Sequence, residues 1–87
     1  MRTVYERVAG LDVHKKVFVA CIRTPLADGS WHVEKRNFGT LTVELLVLSD
    51  WLSWHEIRHV AMESSGEYWK PVFNILENNF EVIIVNA

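Results

Sequence analysis

The chain has one cysteine, two prolines and no run of basic residues, and each scarcity removes a class of protein. Cys21 has no partner for an internal disulfide, which excludes a disulfide-stapled secreted scaffold and suits a reducing, cytoplasmic setting. Nine Lys and Arg against eleven Asp and Glu leave a net charge of −2. This stretch is therefore not a self-sufficient electrostatic patch for nucleic acid, and any contact with DNA or RNA has to rest on the placement of individual Lys and Arg side chains. No stretch approaches the ~18 apolar residues of a membrane-spanning helix. The opening residues Met1 to Arg7 lack the apolar block of a secretory signal. Low-complexity tracts, internal repeats and linkers are missing too, so residues 1–87 read as a single domain.

What is present is apolar: 49% of 87 residues. A chain this short buries only ~60% of the surface its unfolded form exposes. Either the core is unusually rich, or some apolar surface expects a partner or further chain.

Along the sequence the periodicity changes once. Val8 to Val13 reads as a short strand containing Gly10 and Asp12, and His14-Lys15-Lys16 makes a polar turn. Lys16 to Arg23 carries Val17 to Ile22 without polar interruption, the pattern of a strand buried on both faces. Pro25 to Ser30, with Asp28-Gly29, has hairpin chemistry. Trp31 to Phe38 alternates with Glu34, Lys35 and Arg36, which suits an edge strand. From Thr42 to about His55, Leu45, Leu48 and Leu52 recur at helical spacing with Val47, Trp51 and Trp54 alongside; Thr42 is the expected N-cap and Glu44 suits the helix dipole. Arg58 to Glu63 is a fourth strand, Ser64-Ser65-Gly66 a turn, and Trp69, Val72, Phe73 and Leu76 mark a second helix ending near Asn78-Asn79. Pro71 is tolerated in that helix's first turn. Phe80 to Val85 is a fifth strand, apolar on both faces.

The order β-β-β-α-β-α-β predicts an α/β fold: an antiparallel meander followed by two crossovers, giving a mixed five-stranded sheet of order 3-2-1-4-5 with helices packed on it, as in ribonuclease H-like folds. In that order Asp12, at the end of the first strand, and Glu63, at the end of the fourth, emerge on parallel neighbours ~4.8 Å apart. Either acid alone has an ordinary explanation, one as a turn former and the other as a loop residue. Together they are two anions at close range, which repel unless a cation neutralises them. Hard oxygen ligands at an open edge suit Mg²⁺ or Mn²⁺, ions that take part in phosphoryl transfer.

Two blocks carry a family resemblance. Gly10-Leu11-Asp12-Val13-His14-Lys15 followed by an apolar strand, and Ala61-Met62-Glu63-Ser64-Ser65-Gly66-Glu67-Tyr68-Trp69, resemble the first two signature blocks of the DEDD transposases. These are bacterial insertion-sequence enzymes with a RuvC-like nuclease domain, related to the Piv DNA invertases. The likeness extends to the ending Val82-Ile83-Ile84-Val85-Asn86-Ala87. It implies DNA strand cleavage and transfer with divalent metal ions, and it matches Asp12 to the family's first acidic residue and Glu63 to its second. It also implies a pair of aspartates after the fifth strand, a C-terminal domain with a nucleophilic serine, and a structured, guide-like RNA partner. No such aspartate pair occurs up to Ala87, so the resemblance implies the N-terminal part of a RuvC-like domain, incomplete at its C-terminus and inactive alone.

Other residues carry a functional and a plainer reading side by side. His14 and Lys15 suit a phosphate contact, or simply a solvated turn. Ser64 and Ser65 offer amides to a phosphate, or cap the second helix. Their Ser-x-Gly is not a hydrolase elbow, since no His–Asp pattern accompanies it. Glu67 would supplement a metal site, or merely suit a helix N-terminus. His32, His55 and His59 lack ligand spacing. Cys21 reads as a small core residue, Trp51 and Trp54 as packing rather than base-stacking residues, and Trp69 and Phe73 as sheet-facing. A sugar-kinase or actin-like ATPase also opens on a hairpin with an aspartate, but its phosphate turn wants small residues where Val13-His14-Lys15-Lys16 is bulky. A degenerate copy or assembly module is the non-catalytic alternative. The last strand has no proline and, after Glu81 at its start, no charge to guard its edge, which predicts self-association into a homo-oligomer.

Overall fold

The computed structural model describes residues 6–86, and the opening segment before Glu6 and the terminal Ala87 lie outside the described residues. The elements are β1 (Val8–Val13), β2 (Val17–Pro25), β3 (Trp31–Gly39), α1 (Thr42–Trp54), β4 (His59–Ser64), α2 (Trp69–Leu76) and β5 (Glu81–Asn86). They form one five-stranded sheet of order β3-β2-β1-β4-β5. β1 and β2, and β2 and β3, pair antiparallel, while β1 and β4, and β4 and β5, pair parallel. The mixed sheet and its order are those the sequence predicts. Among the described residues no helix is long and apolar enough to cross a membrane.

Alternation along the strands decides which face is covered. Leu11 and Val13 of β1, Phe18, Ala20 and Ile22 of β2, and Val60 and Met62 of β4 are buried together with Leu45, Leu48 and Leu52 of α1 and Val72 and Leu76 of α2. Trp69 and Phe73 pack against this cluster, as expected. Residues one step out of phase point the other way. On that second face Asn37, Val19, Asp12, Glu63 and Val85 lie in one cross-strand row, and Lys35, Cys21, Gly10, Ala61 and Ile83 in the next. Val17, Val19, Ile83 and Val85 are exposed there. β2 is therefore not the doubly buried strand its composition suggests. Both helices lie on one side of the sheet, so Phe18, Ala20 and Ile22 are covered and Val17 and Val19 are not; Cys21 is half-buried rather than a core residue.

The junctions follow local chemistry. Between β2 and β3 the chain reverses at Gly29, φ +89°. The Ser30 hydroxyl and amide both donate to Asp28 Oδ1 and hold its carboxyl below the usual carboxylate range. Thr42 is not the N-cap of α1. Leu41 holds that position in extended conformation without a side-chain cap, and Thr42 is the first helical residue. At the other end α1 closes in a Schellman arrangement: the Ile57 amide donates to the Leu52 carbonyl at 3.0 Å and the Glu56 amide to the Ser53 carbonyl at 3.0 Å. Glu56 sits at the left-handed position, φ +57°, where glycine is usual. Relief of that backbone cost, ~1–2 kcal/mol for an L-residue, offset in part by the entropy glycine adds to the unfolded chain, predicts that Glu56→Gly stabilises the fold by about 0.5–1 kcal/mol, read as a raised denaturant midpoint at unchanged slope.

α1 is apolar on its outer side as well. Trp51 is buried and its indole N–H donates to Glu34 Oε2 at 3.1 Å, which fastens the helix to β3. His32 and this indole hold the Glu34 carboxyl below its ordinary range. Trp54, expected to pack in the core or at an interface, is 83% exposed alongside Leu46 and Val47 and so is no core residue.

Candidate active site

β1 and β4 place one acid each at the same level of the sheet. The register pairs Asp12 with Glu63 directly, one residue before each strand ends at Val13 and Ser64. Both acids belong to the uncovered face and both are exposed. The small residues behind them, Gly10 and Ala61, leave a shallow depression of about 260 Å³ that Asp12, Glu63 and Val85 border. The sequence expectation of two carboxylates on adjacent parallel strands thus describes the observed backbone.

One more residue joins them. His14 follows β1 and lies between the two acid-bearing segments: its Nε2 is 2.5 Å from Asp12 Oδ1 and its Nδ1 is 2.7 Å from Ser65 Oγ. The Ser–His–Asp contact that the sequence reading did not expect is therefore present, although the two partners of His14 lie far apart in sequence. Ser64 and Ser65 do not cap α2, whose N-cap Tyr68 has no side-chain cap hydrogen bond. Ser64 belongs to β4 and is buried on the helix side, while Ser65 turns out toward His14. Gly66, φ +65°, then lets the chain turn into α2. Glu67 is engaged by Lys70 at 2.9 Å, an ordinary pair within one helical turn. His32 pairs with Glu34, and His59 with Glu81, both away from the acids.

The donor set fits a hard divalent cation in kind. Carboxylate oxygens on adjacent strands, at an open sheet surface, are ligands for Mg²⁺ or Mn²⁺, and no thiolate pair is present to favour a softer ion. Among the described residues no group of three or more His, Cys, Asp and Glu side chains is placed to hold an ion. Asp12 and Glu63 would supply two carboxylates to such an ion and not a complete cage. Without a cation, like charges directly opposite each other across two strands are destabilising by ~0.2–1 kcal/mol. Glu63→Gln is accordingly expected to raise the thermal midpoint of the metal-free chain by a few degrees, and the gain should vanish on adding Mg²⁺. An unchanged or lowered midpoint in chelator would contradict the pairing.

Comparison with known proteins bears on the fold and the family. Among solved structures, the fowlpox virus resolvase in complex with Holliday junction DNA matches with a TM-score of 0.62 at 15% identity, over 92% of this chain and 61% of that one. RuvC of Thermus thermophilus matches with a TM-score of 0.63 at 13% identity, over 92% of this chain and 63% of that one. The Ppx/GppA phosphatase of Aquifex aeolicus follows with a TM-score of 0.54 at 11% identity, over 95% of this chain and 36% of that one. At such identities the likeness concerns the fold, and it is RuvC-like. The chain spans less than two thirds of the length of each of these structures. Among curated proteins no match is found. The sequence model of the DEDD transposases of the IS110 type, by contrast, matches residues 9–87, nearly the whole chain and both acids. The chain belongs to the IS110-type DEDD transposases.

Proposed function

We propose that this chain supplies the first two carboxylates of a divalent-metal centre for DNA strand cleavage and transfer, with Asp12 and Glu63 as its metal ligands. The observation that carries this reading is the direct register of Asp12 with Glu63 on neighbouring parallel strands, exposed on the face the helices leave bare. A bound Mg²⁺ or Mn²⁺ would neutralise the two anions and supply an activated oxygen nucleophile together with stabilisation of the leaving oxygen. Asp12 and Glu63 would hold it from one side only, leaving its remaining positions to DNA phosphate, water and further acids. The family pattern contributes those acids as an aspartate pair, and a nucleophilic serine, from outside these 87 residues.

DNA is the partner this reading requires. Its backbone would lie along the uncovered face, where Lys35 and Arg23 share the sheet surface with the acids. A guide-like RNA and a homo-oligomeric assembly belong to the whole transposase. The test is to incubate this chain and a transposase containing it, side by side, with supercoiled plasmid in Mg²⁺ or in EDTA. Nicking by the longer protein in Mg²⁺ alone, and none by this chain, is the expected result. Cleavage that survives EDTA would overturn the metal reading. Mg²⁺-dependent nicking by this chain, lost in Asp12→Ala, would overturn the claim that two carboxylates are insufficient.

A further inference from the structure

The contact of His14 with both Asp12 and Ser65 has a consequence for the metal ligand itself. A carboxylate only accepts hydrogen bonds, so Asp12 Oδ1 requires a donor, and at 2.5 Å the neighbouring atom is His14 Nε2. A neutral imidazole carries one N–H and one acceptor nitrogen; if Nε2 is the donor, Nδ1 must accept. What stands 2.7 Å from Nδ1 is the Ser65 hydroxyl, which is able to donate. For the neutral ring, the two contacts select one tautomer and one ring orientation.

Strand register explains why the three residues meet. His14 follows Asp12 by two positions and Ser65 follows Glu63 by two, and the strands run parallel with Asp12 opposite Glu63 and Val13 opposite Ser64. The next pair out is therefore His14 and Ser65. Their link joins the two segments that carry the acids just beyond the last backbone pair.

From this geometry we infer that His14 and Ser65 are positioning residues for the Asp12 carboxylate. Ser65 fixes the His14 tautomer; His14 engages Oδ1 and so orients the carboxylate that would hold the ion. The inference rests on the proposed metal centre and adds to it two residues that act through the Asp12 carboxylate. Both are on the surface, at a strand end and a turn, so removing their side chains leaves the core intact.

The experiment uses the chain with ¹⁵N-labelled histidine and, separately, Mn²⁺ affinity from the electron-spin resonance of the free ion. In metal-free wild type near neutral pH, the His14 ring is expected to show the Nε2–H tautomer. Ser65→Ala should give a mixture of tautomers, and Ser65→Thr, which keeps the hydroxyl, should restore the single form. His14→Ala should weaken Mn²⁺ binding by about tenfold. Ser65→Ala should weaken it by less, and the double variant should bind like His14→Ala, because Ser65 acts only through the ring. Thermal midpoints should stay with the wild type throughout. Mn²⁺ binding to wild type that is unaffected by these substitutions, additive effects of the two, tighter binding in His14→Ala, or a tautomer indifferent to Ser65→Ala would each overturn the inference while leaving the metal reading in place. Failure of wild type to bind Mn²⁺, or equal binding in Glu63→Ala, would instead overturn the metal reading and this inference with it. Covalent labelling of Ser65 by a fluorophosphonate would also overturn it, since the serine would then be an activated nucleophile rather than a support.

Discussion

Alanine at Asp12 or at Glu63, introduced into a transposase that contains this domain, is expected to cut Mg²⁺-dependent strand cleavage by about 10³-fold or more while the protein stays folded. The reasoning is electrostatic. In the proposed centre, charge that develops on the phosphoryl oxygens would be balanced by an ion held between Asp12 and Glu63, which stand in register on two adjacent strands. Loss of one such ligand would weaken the hold on the ion; ~4 kcal/mol of lost transition-state stabilisation corresponds to that thousandfold fall. Stability should move the other way. Each acid is exposed and faces the other in register, so removing one relieves repulsion instead of opening a cavity. Single-turnover cleavage at saturating DNA, paired with a thermal melt of each variant, separates the two effects. Cleavage within tenfold of wild type in either variant would show that the acid is no ligand of the reacting ion.

The second large effect concerns the fold. Leu48→Ala is expected to destabilise the domain by about 2–5 kcal/mol, against a total of roughly 4–13 kcal/mol for a chain of this length. Leu48 is 0% exposed and sits at the middle of α1. It packs in the one cluster shared by both helices and the covered sheet face. Among the described residues the opposite face has no second layer to compensate, so the loss falls on a core that is single-sided. Urea unfolding followed by far-ultraviolet circular dichroism measures it, with Leu46→Ala as the control. Leu46 is 51% exposed on the same helix, and its truncation should cost well under 1 kcal/mol. Equal effects of the two substitutions would contradict the assignment of the buried face.

How much of this was legible beforehand depends on the range of the interaction. The strand order follows from hydrophobic period and connection length, and both are written locally: alternation in Trp31 to Phe38, helical recurrence at Leu45, Leu48 and Leu52, and Asp28-Gly29 between two strands. Once the order is known, the placement of Asp12 against Glu63 follows, because parallel pairing carries strand ends to the same edge. The uncovered face was not legible. An uninterrupted apolar run such as Val17 to Ile22 looks the same whether one face or both are covered, and only the common side taken by α1 and α2 decides it. Thr42 missed the cap position by one residue because Leu41, a residue type with little capping preference, takes it without a side-chain hydrogen bond, so composition does not mark it. The His14–Ser65 contact spans 51 positions and leaves no periodic trace. Its one signal is numerical: each residue stands two places beyond an acid, and extending the expected register by two positions would have paired them.

The most direct test of the central claim maps where the ion sits. Addition of substoichiometric Mn²⁺ to the ¹⁵N-labelled chain should broaden the amide signals around Asp12–Val13 and Glu63–Ser64, at the adjoining ends of β1 and β4. Signals at the far ends of the same strands, around Val8 and His59, should remain sharp, and the broadening should disappear in both Asp12→Ala and Glu63→Ala. Broadening that is diffuse over the acidic surface, or that persists when either acid is removed, would contradict the assignment of Asp12 and Glu63 as joint ligands of one ion.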